Sequence, residues 1–361
     1  MVCSLGAFDG ADKSGKGSVA GVSGFLLAQS RRYRADDTSA DDMHRSHSPI
    51  FDMPELQSTS HVLMIRPVRF IANEQTAASN HFQVIDGRVD PMTVQQTAAA
   101  EFDGLVAALR NAGVTVHSFD DTPEPHTPDA IFPNNWVSFH ADGTAVLYPM
   151  LAENRRVERR MDLLGSLSTQ GFHIARTVDL THREAQLQFL EGTGSLVLDR
   201  IHRNAYACLS PRTDMDVLGE FAQRLDYEIA AFEAVDAAGL PIYHTNVLMS
   251  VGTRFAAVCV ECIEPTRRDA IVRMLGDTGH EVIELSYRQM AAFAGNMLEL
   301  KTPDGFIVAM SEAARASLSE EQRRRIEAPS GPIVSAAIPV IERHGGGSVR
   351  CMLAEIHLPS R

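Results

Sequence analysis

Long apolar runs are missing from this sequence. No stretch approaches the roughly 18 apolar residues that would cross a bilayer, so no membrane partner is expected. Positive charge is also in deficit, with 33 Lys and Arg against 46 Asp and Glu and a formal net charge of −13. That balance argues against nucleic acid as a partner, although one buried arginine could still serve an anionic end on a small substrate. Cysteine is sparse and odd in number: Cys3, Cys208, Cys259, Cys262 and Cys351, five spread over 361 residues. Such a scatter is no disulfide framework and fits a reducing, cytoplasmic setting. A phosphate loop is absent, and Gly192-Thr193-Gly194 lacks the rest of a dinucleotide fingerprint, so no cofactor is expected.

Metal chemistry has little support either. Cys259-Val260-Glu261-Cys262 has the spacing of a redox or metal motif. However, residues 255–263 read as a strand, which would turn the two cysteines to opposite faces. With no second cysteine pair and no suitable histidine cluster beside them, no metal is expected.

What is present begins with a polar N-terminus. Residues 1–50 mix Gly, Ser, Asp and Arg around one short apolar run, and Arg31-Arg32 follow that run where an export signal places its charges first. We read 1–55 as a disordered tail and 56–361 as a single catalytic domain.

From about residue 60 a unit recurs: amphipathic helix, turn residue, short strand, hairpin. The turn residues are Gly113, Gly171, Asp226, Gly279 and Gly331, separated by 58, 55, 53 and 52 positions. The strands after them start near Val114, His173, Glu228, Glu281 and Ile333, and the hairpins span 132–150, 191–210, 243–263, 295–310 and 349–357. The last hairpin lacks its second strand, which the orphan N-terminal strand His61–Ile65 could supply to close a ring. Five units of this length predict an α/β fold, a pseudo-fivefold five-bladed propeller. The alternative is a two-domain α/β protein with coincidental spacing.

One polar residue falls at an equivalent point of each unit: Asn135, Glu191, His244, Asn296 and Cys351, spaced by 56, 53, 52 and 55. In a ring these points converge on the axis. Cys351 follows three glycines, which permit close backbone approach before a thiol, and a thiolate beside a histidine is a nucleophile. Read alone, Cys351 would be a small core residue and His244 a structural histidine. The repeat sets them opposite each other. Asn246 would share a strand face with His244, and Glu191 would either bond a substrate's N–H groups or orient His244.

Phe132-Pro133-Asn134-Asn135-Trp136, Glu191-Gly192-Thr193-Gly194, His244-Thr245-Asn246 and the run from Gly345 to Cys351 together resemble the guanidine-modifying (pentein) superfamily. The stretch Pro128–Trp136, with Gly295–Leu300, is similar to its citrulline utilisation hydrolase branch, related to arginine deiminases. The resemblance covers residues 60–357 and implies a five-bladed propeller, Cys351 as nucleophile, His244 as acid/base and Glu191 as the carboxylate bonding substrate nitrogens. It also implies Arg212, with Arg155 or Arg156, for a substrate carboxylate and Asp129 for an α-ammonium group. Arg66, Asn73 and Asn80 belong to a segment that looks familial but carries no assigned role. Arginine deiminases hold aspartates where this chain has Asn135 and Asn246. An amide offers donor and acceptor to a neutral ureido group, whereas carboxylates suit a cation. The expectation is therefore a cysteine-dependent hydrolase of a small amino acid, citrulline to ornithine, ammonia and carbon dioxide. Arginine or methylarginine hydrolysis is the alternative, followed by amidino transfer or a non-catalytic ribosome-binding propeller. A homodimer is compatible with the sequence.

Overall fold

The computed structural model describes residues 55–85 and 88–360. The expected tail lies outside the described residues except for Glu55, whose carboxylate is 2.8 Å from Arg200 Nη1 and 2.7 Å from Arg203 Nη1.

The unit of the fold follows from its helices. Pro91–Asn111 starts where the Asp90 carboxylate accepts the Thr93 N–H and Pro91 presets the first helical φ. Val94, Ala98, Phe102, Leu105 and Leu109 then recur at helical spacing, and all are buried. This helix connects β1 (His61–Arg66) to β2 (Thr115–Asp120), which pair in parallel. A parallel pair requires such a crossover.

The remaining units repeat one topology. β3 (Val137–Phe139) pairs antiparallel with β4 (Thr144–Leu147), and β4 pairs parallel with β5 (Arg176–Asp179). The same order holds for β6 (Leu196–Asp199), β7 (Asn204–Cys208) and β8 (Glu228–Phe232). It holds for β9 (Met249–Val251), β10 (Phe255–Val258) and β11 (Glu281–Glu284), and for β12 (Leu298–Thr302), β13 (Gly305–Ser311) and β14 (Ile333–Ala336). β15 (Ala354–Glu355) then pairs antiparallel with β1, so the N-terminal strand becomes the middle strand of the fifth sheet. The expected closure is present.

Among the described residues there are thus five three-stranded sheets, each opening on an inner strand: β3, β6, β9, β12 or β15. β15 abuts β3, β6 abuts β9, and β9 abuts β12, so these inner strands surround the axis of a five-bladed α/β propeller. No helix among the described residues is long and apolar enough to cross a membrane.

Three local expectations are corrected. The strand expected at His173 begins instead at Arg176. Phe172 and His173 are taken up by the chain end, the His173 N–H bonding Pro359 O at 2.8 Å. Asn246 lies in a helical turn, Thr245–Leu248, and not on a strand. Cys259 and Cys262 do not face opposite sides: β10 stops at Val258 and a 3-10 turn over Val260–Cys262 brings the two sulfurs to 2.7 Å.

Gly331 ends the helix Glu320–Ser330 in a backbone conformation that glycine adopts without strain. Gly331 has φ +72°, and a Cβ there would lie 2.1 Å from Phe306 O. Gly331→Ala is expected to destabilise the protein by on the order of 2 kcal/mol or more. Urea denaturation checks this, and a change within about 0.5 kcal/mol would contradict the backbone placement.

Candidate active site

The polar residues that open the inner strands sit on tight turns, because a short helical turn precedes β3, β6, β9 and β15. These turns press together. A Cβ on Gly194 would fall 2.4 Å from Asn135 Nδ2 and 2.7 Å from His244 Nδ1, so glycine is what lets the Glu191 turn meet its neighbours. The turns surround a small pocket lined by Asn135, His244 and Cys351 together with Asp129, Arg155 and Arg212.

At its base, Cys351 Sγ receives Asn296 Nδ2 at 3.2 Å and Asn246 Nδ2 at 3.4 Å. Asn296 Nδ2 also bonds Asn246 O at 2.9 Å, which ties the β9 and β12 turns together under the sulfur. Of the five equivalent positions, two pairs meet directly: Asn296 reaches Cys351, and Glu191 reaches His244.

Glu191 is fully buried and does not line the cavity. Its Oε2 lies 2.8 Å from His244 Nε2, 3.4 Å from Arg212 Nη1 and 3.8 Å from Arg155 Nη1, while Oε1 accepts the Leu151 N–H at 3.1 Å. Burial alone would raise its pKa. Arg212, the His244 hydrogen bond and Arg155 outweigh that and hold the carboxyl well below the usual carboxylate range. Because a carboxylate only accepts, His244 carries its proton on Nε2 and presents a lone pair at Nδ1. Burial pushes the imidazole pKa down to about 4, with the Glu191 hydrogen bond opposing and Arg212 and Arg155 reinforcing the shift.

The arginines differ in availability. Arg155 is saturated: Nε and Nη2 engage Glu158 at 3.1 and 2.9 Å, Nη1 donates to Asn135 Oδ1 at 2.9 Å, and Nε is 3.6 Å from Asp129. Arg212 is anchored by Ser79 Oγ and Thr76 O at 2.8 and 3.2 Å and lies over the Tyr243 ring at 4.8 Å. Arg156 stands apart from the cavity. Its guanidinium bonds Met150 O and Leu151 O at 3.0 and 3.3 Å and faces Glu184 at 3.6 Å, a bracing role outside the site.

Two buried polar atoms on the cavity lining have no partner, Asp129 Oδ1 and Asn135 Nδ2. Since Arg155 has only donors, the Asn135 atom facing it must be the carbonyl oxygen, which leaves the NH₂ free. The sequence reading missed several contributors. Asn73 Nδ2 bonds Asp129 Oδ2 at 2.8 Å, and Asn80 Nδ2 bonds Gly345 O at 3.2 Å. Tyr243 Oη donates to Gly346 O at 2.5 Å, and Phe132 packs against the glycine run. Asn73 and Asn80 stood out as a familiar segment, whereas Tyr243 carried no signal beyond adjacency to His244.

With this geometry in view, similarity to known proteins can be placed on it. The sequence profile of the eukaryotic N,N dimethylarginine dimethylhydrolase family matches residues 66–358. The chain belongs to this family. It is accordingly a hydrolase acting on linear amide or amidine C–N bonds. No sequence among curated proteins matches it. Among solved structures, it is similar to the substrate-bound N-terminal domain of ArgZ, an arginine dihydrolase from the cyanobacterial ornithine–ammonia cycle. That match has 16% identity and a TM-score of 0.61 over 82% of this chain and 97% of that one. Unliganded AgrE gives 18% and 0.63 over 83% of this chain, which spans only 40% of AgrE. DDAH from Pseudomonas aeruginosa complexed with citrulline gives 13% and 0.56, over 83% and 100%. These likenesses establish the pentein fold.

A pH dependence follows from His244. Unfolded, the imidazole titrates near 6.5, and folded near 4. Between those values only the unfolded chain binds that proton, so stability falls as pH drops from 6.5 to 4, by ~3 kcal/mol. NMR titration of the His244 ring should show a midpoint near 4. A midpoint at or above 6.5 would contradict the electrostatics described.

Proposed function

We propose that this hydrolase acts on the ureido group of citrulline, with Cys351 as nucleophile, His244 as acid/base and Glu191 as the carboxylate that orients His244. The observation that carries the substrate choice is the free, buried Asn135 NH₂ on the cavity lining. A guanidinium offers only donors and would leave that NH₂ unpaired, whereas a ureido carbonyl accepts from it. Asp129 Oδ1 supplies an acceptor for an α-ammonium group and Arg212 a cation for the α-carboxylate.

In this reading His244 Nδ1 takes the Cys351 proton and Sγ attacks the ureido carbon, with the Asn246 and Asn296 amides holding the sulfur. The C–N bond breaks, the departing nitrogen takes the proton from the imidazolium, and Glu191 stabilises that transient charge. Water, deprotonated by the same histidine, then cleaves the carbon–sulfur bond and releases a carbamic acid, which breaks its remaining C–N bond as it loses carbon dioxide. The sum is citrulline and water to ornithine, ammonia and carbon dioxide. The second reading, arginine or methylarginine hydrolysis, draws on the free Asp129 oxygen, which could face a guanidinium instead.

Ammonia release from citrulline, arginine and dimethylarginine, assayed in parallel, tests the proposal. Citrulline turnover is expected, falling at least ~1,000-fold in Cys351→Ala. Asn135→Asp should shift the citrulline-to-arginine ratio toward arginine by about tenfold or more. Turnover of arginine with none of citrulline would overturn the substrate assignment while leaving the cysteine chemistry.

A further inference from the structure

At the β6–β7 turn, Asp199 ends its strand buried, and its ion-pair partner is His202, whose Nδ1 lies 2.9 Å from both carboxylate oxygens. The neighbouring blade contributes His280, just ahead of β11. Its ring stands edge-on to His202 at 5.8 Å between centroids. One ligand atom from each of Asp199, His202 and His280 falls within 4.8 Å of the other two. Asp199 and His202 lie at the β6–β7 hairpin turn and His280 at the turn from a helix into β11, whereas the Cys351 site lies where the inner strands begin.

The contacts of His280 leave one ring nitrogen available for ligation. Its Nε2 is 3.1 Å from Gly252 O, which can only accept, so the ring carries its proton there and a lone pair on Nδ1. That lone pair faces Thr278 Oγ1 at 2.9 Å. The Thr278 hydroxyl has two other acceptors in reach, Met274 O at 3.1 Å and Leu275 O at 3.0 Å, so it can release Nδ1 without losing a hydrogen bond.

We propose that Asp199, His202 and His280 form a binding site for a divalent transition cation, independent of the catalytic centre. Two imidazoles and a carboxylate suit zinc, cobalt or nickel over magnesium or calcium. Three protein ligands leave a fourth position for solvent, which the half-exposed His202 side of the cluster admits. Asp199 and His202 belong to the β6–β8 blade and His280 to the β9–β11 blade, so the ion clamps two adjacent blades. Its role is to stabilise the ring.

The test uses the full chain carrying Cys351→Ser, which keeps metal off the reactive thiol. Zinc chloride is titrated calorimetrically, cobalt chloride by visible absorption, and thermal unfolding is followed with and without zinc. One saturable equivalent per chain and a Tm that rises with zinc are expected. Binding should weaken at least about tenfold in His202→Ala, a partly exposed position where folding is not at stake, and again in Asp199→Asn. Failure to bind in the Cys351→Ser protein, or an affinity unchanged by His202→Ala, would overturn the site.

Discussion

A carboxylate stripped of water is costly unless cations and donors replace the solvent, and Glu191 is surrounded by them. The geometry of the site depends on this one group. It fixes the His244 tautomer, draws Arg212 and Arg155 inward, and pins the Leu151 backbone. Through Arg155 it reaches Asn135, whose carbonyl oxygen accepts from that guanidinium. Through Arg212 it reaches Tyr243 and the Thr76–Ser79 segment. The His244 imidazole, the Asn135 amide and the cavity wall are therefore coupled parts of one electrostatic unit.

The ring holds a second buried charge network near its N-terminal segment. Arg350 Nη2 and Glu355 Oε2 meet at 2.7 Å, Arg200 bridges Glu55 and Glu355 at 2.8 and 3.8 Å, and His357 bonds Glu355 at 3.2 Å. Burial would raise the Glu355 pKa, but Arg350 and Arg200 hold it well below the usual range. Arg350 directly precedes Cys351, and its Nη1 bonds Leu353 O at 2.8 Å. The same turn that presents the thiol is thus anchored from behind, which keeps the sulfur in place without using the cavity face.

Much of this was legible because repetition turns sequence spacing into geometry. Turn residues 52 to 58 apart located five blades, and the unpaired last hairpin pointed to His61–Ile65 as its partner. The same spacing sets Cys351, His244 and Asn135 around one axis, and all three line one pocket. What escaped depends on contacts between blades. Nothing local separates Arg155, which is saturated and buried, from Arg156, which braces carbonyls outside the cavity. The Cys259–Cys262 turn reads as strand from composition, since its reversal is set by Cys262 N bonding Cys259 O at 3.2 Å. Asp199, His202 and His280 come from two blades, so no motif spacing announces them.

The central claim is that Cys351 forms a covalent bond to the ureido carbon during turnover. Intact-protein mass spectrometry of enzyme rapidly acid-quenched in the presence of citrulline addresses it directly, with peptide mapping to locate any added mass. The account predicts an adduct on Cys351, absent from Cys351→Ala, whose mass identifies the nitrogen that departed first. Citrulline turnover that persists in Cys351→Ala, with no adduct on any cysteine of the wild-type enzyme, would contradict it.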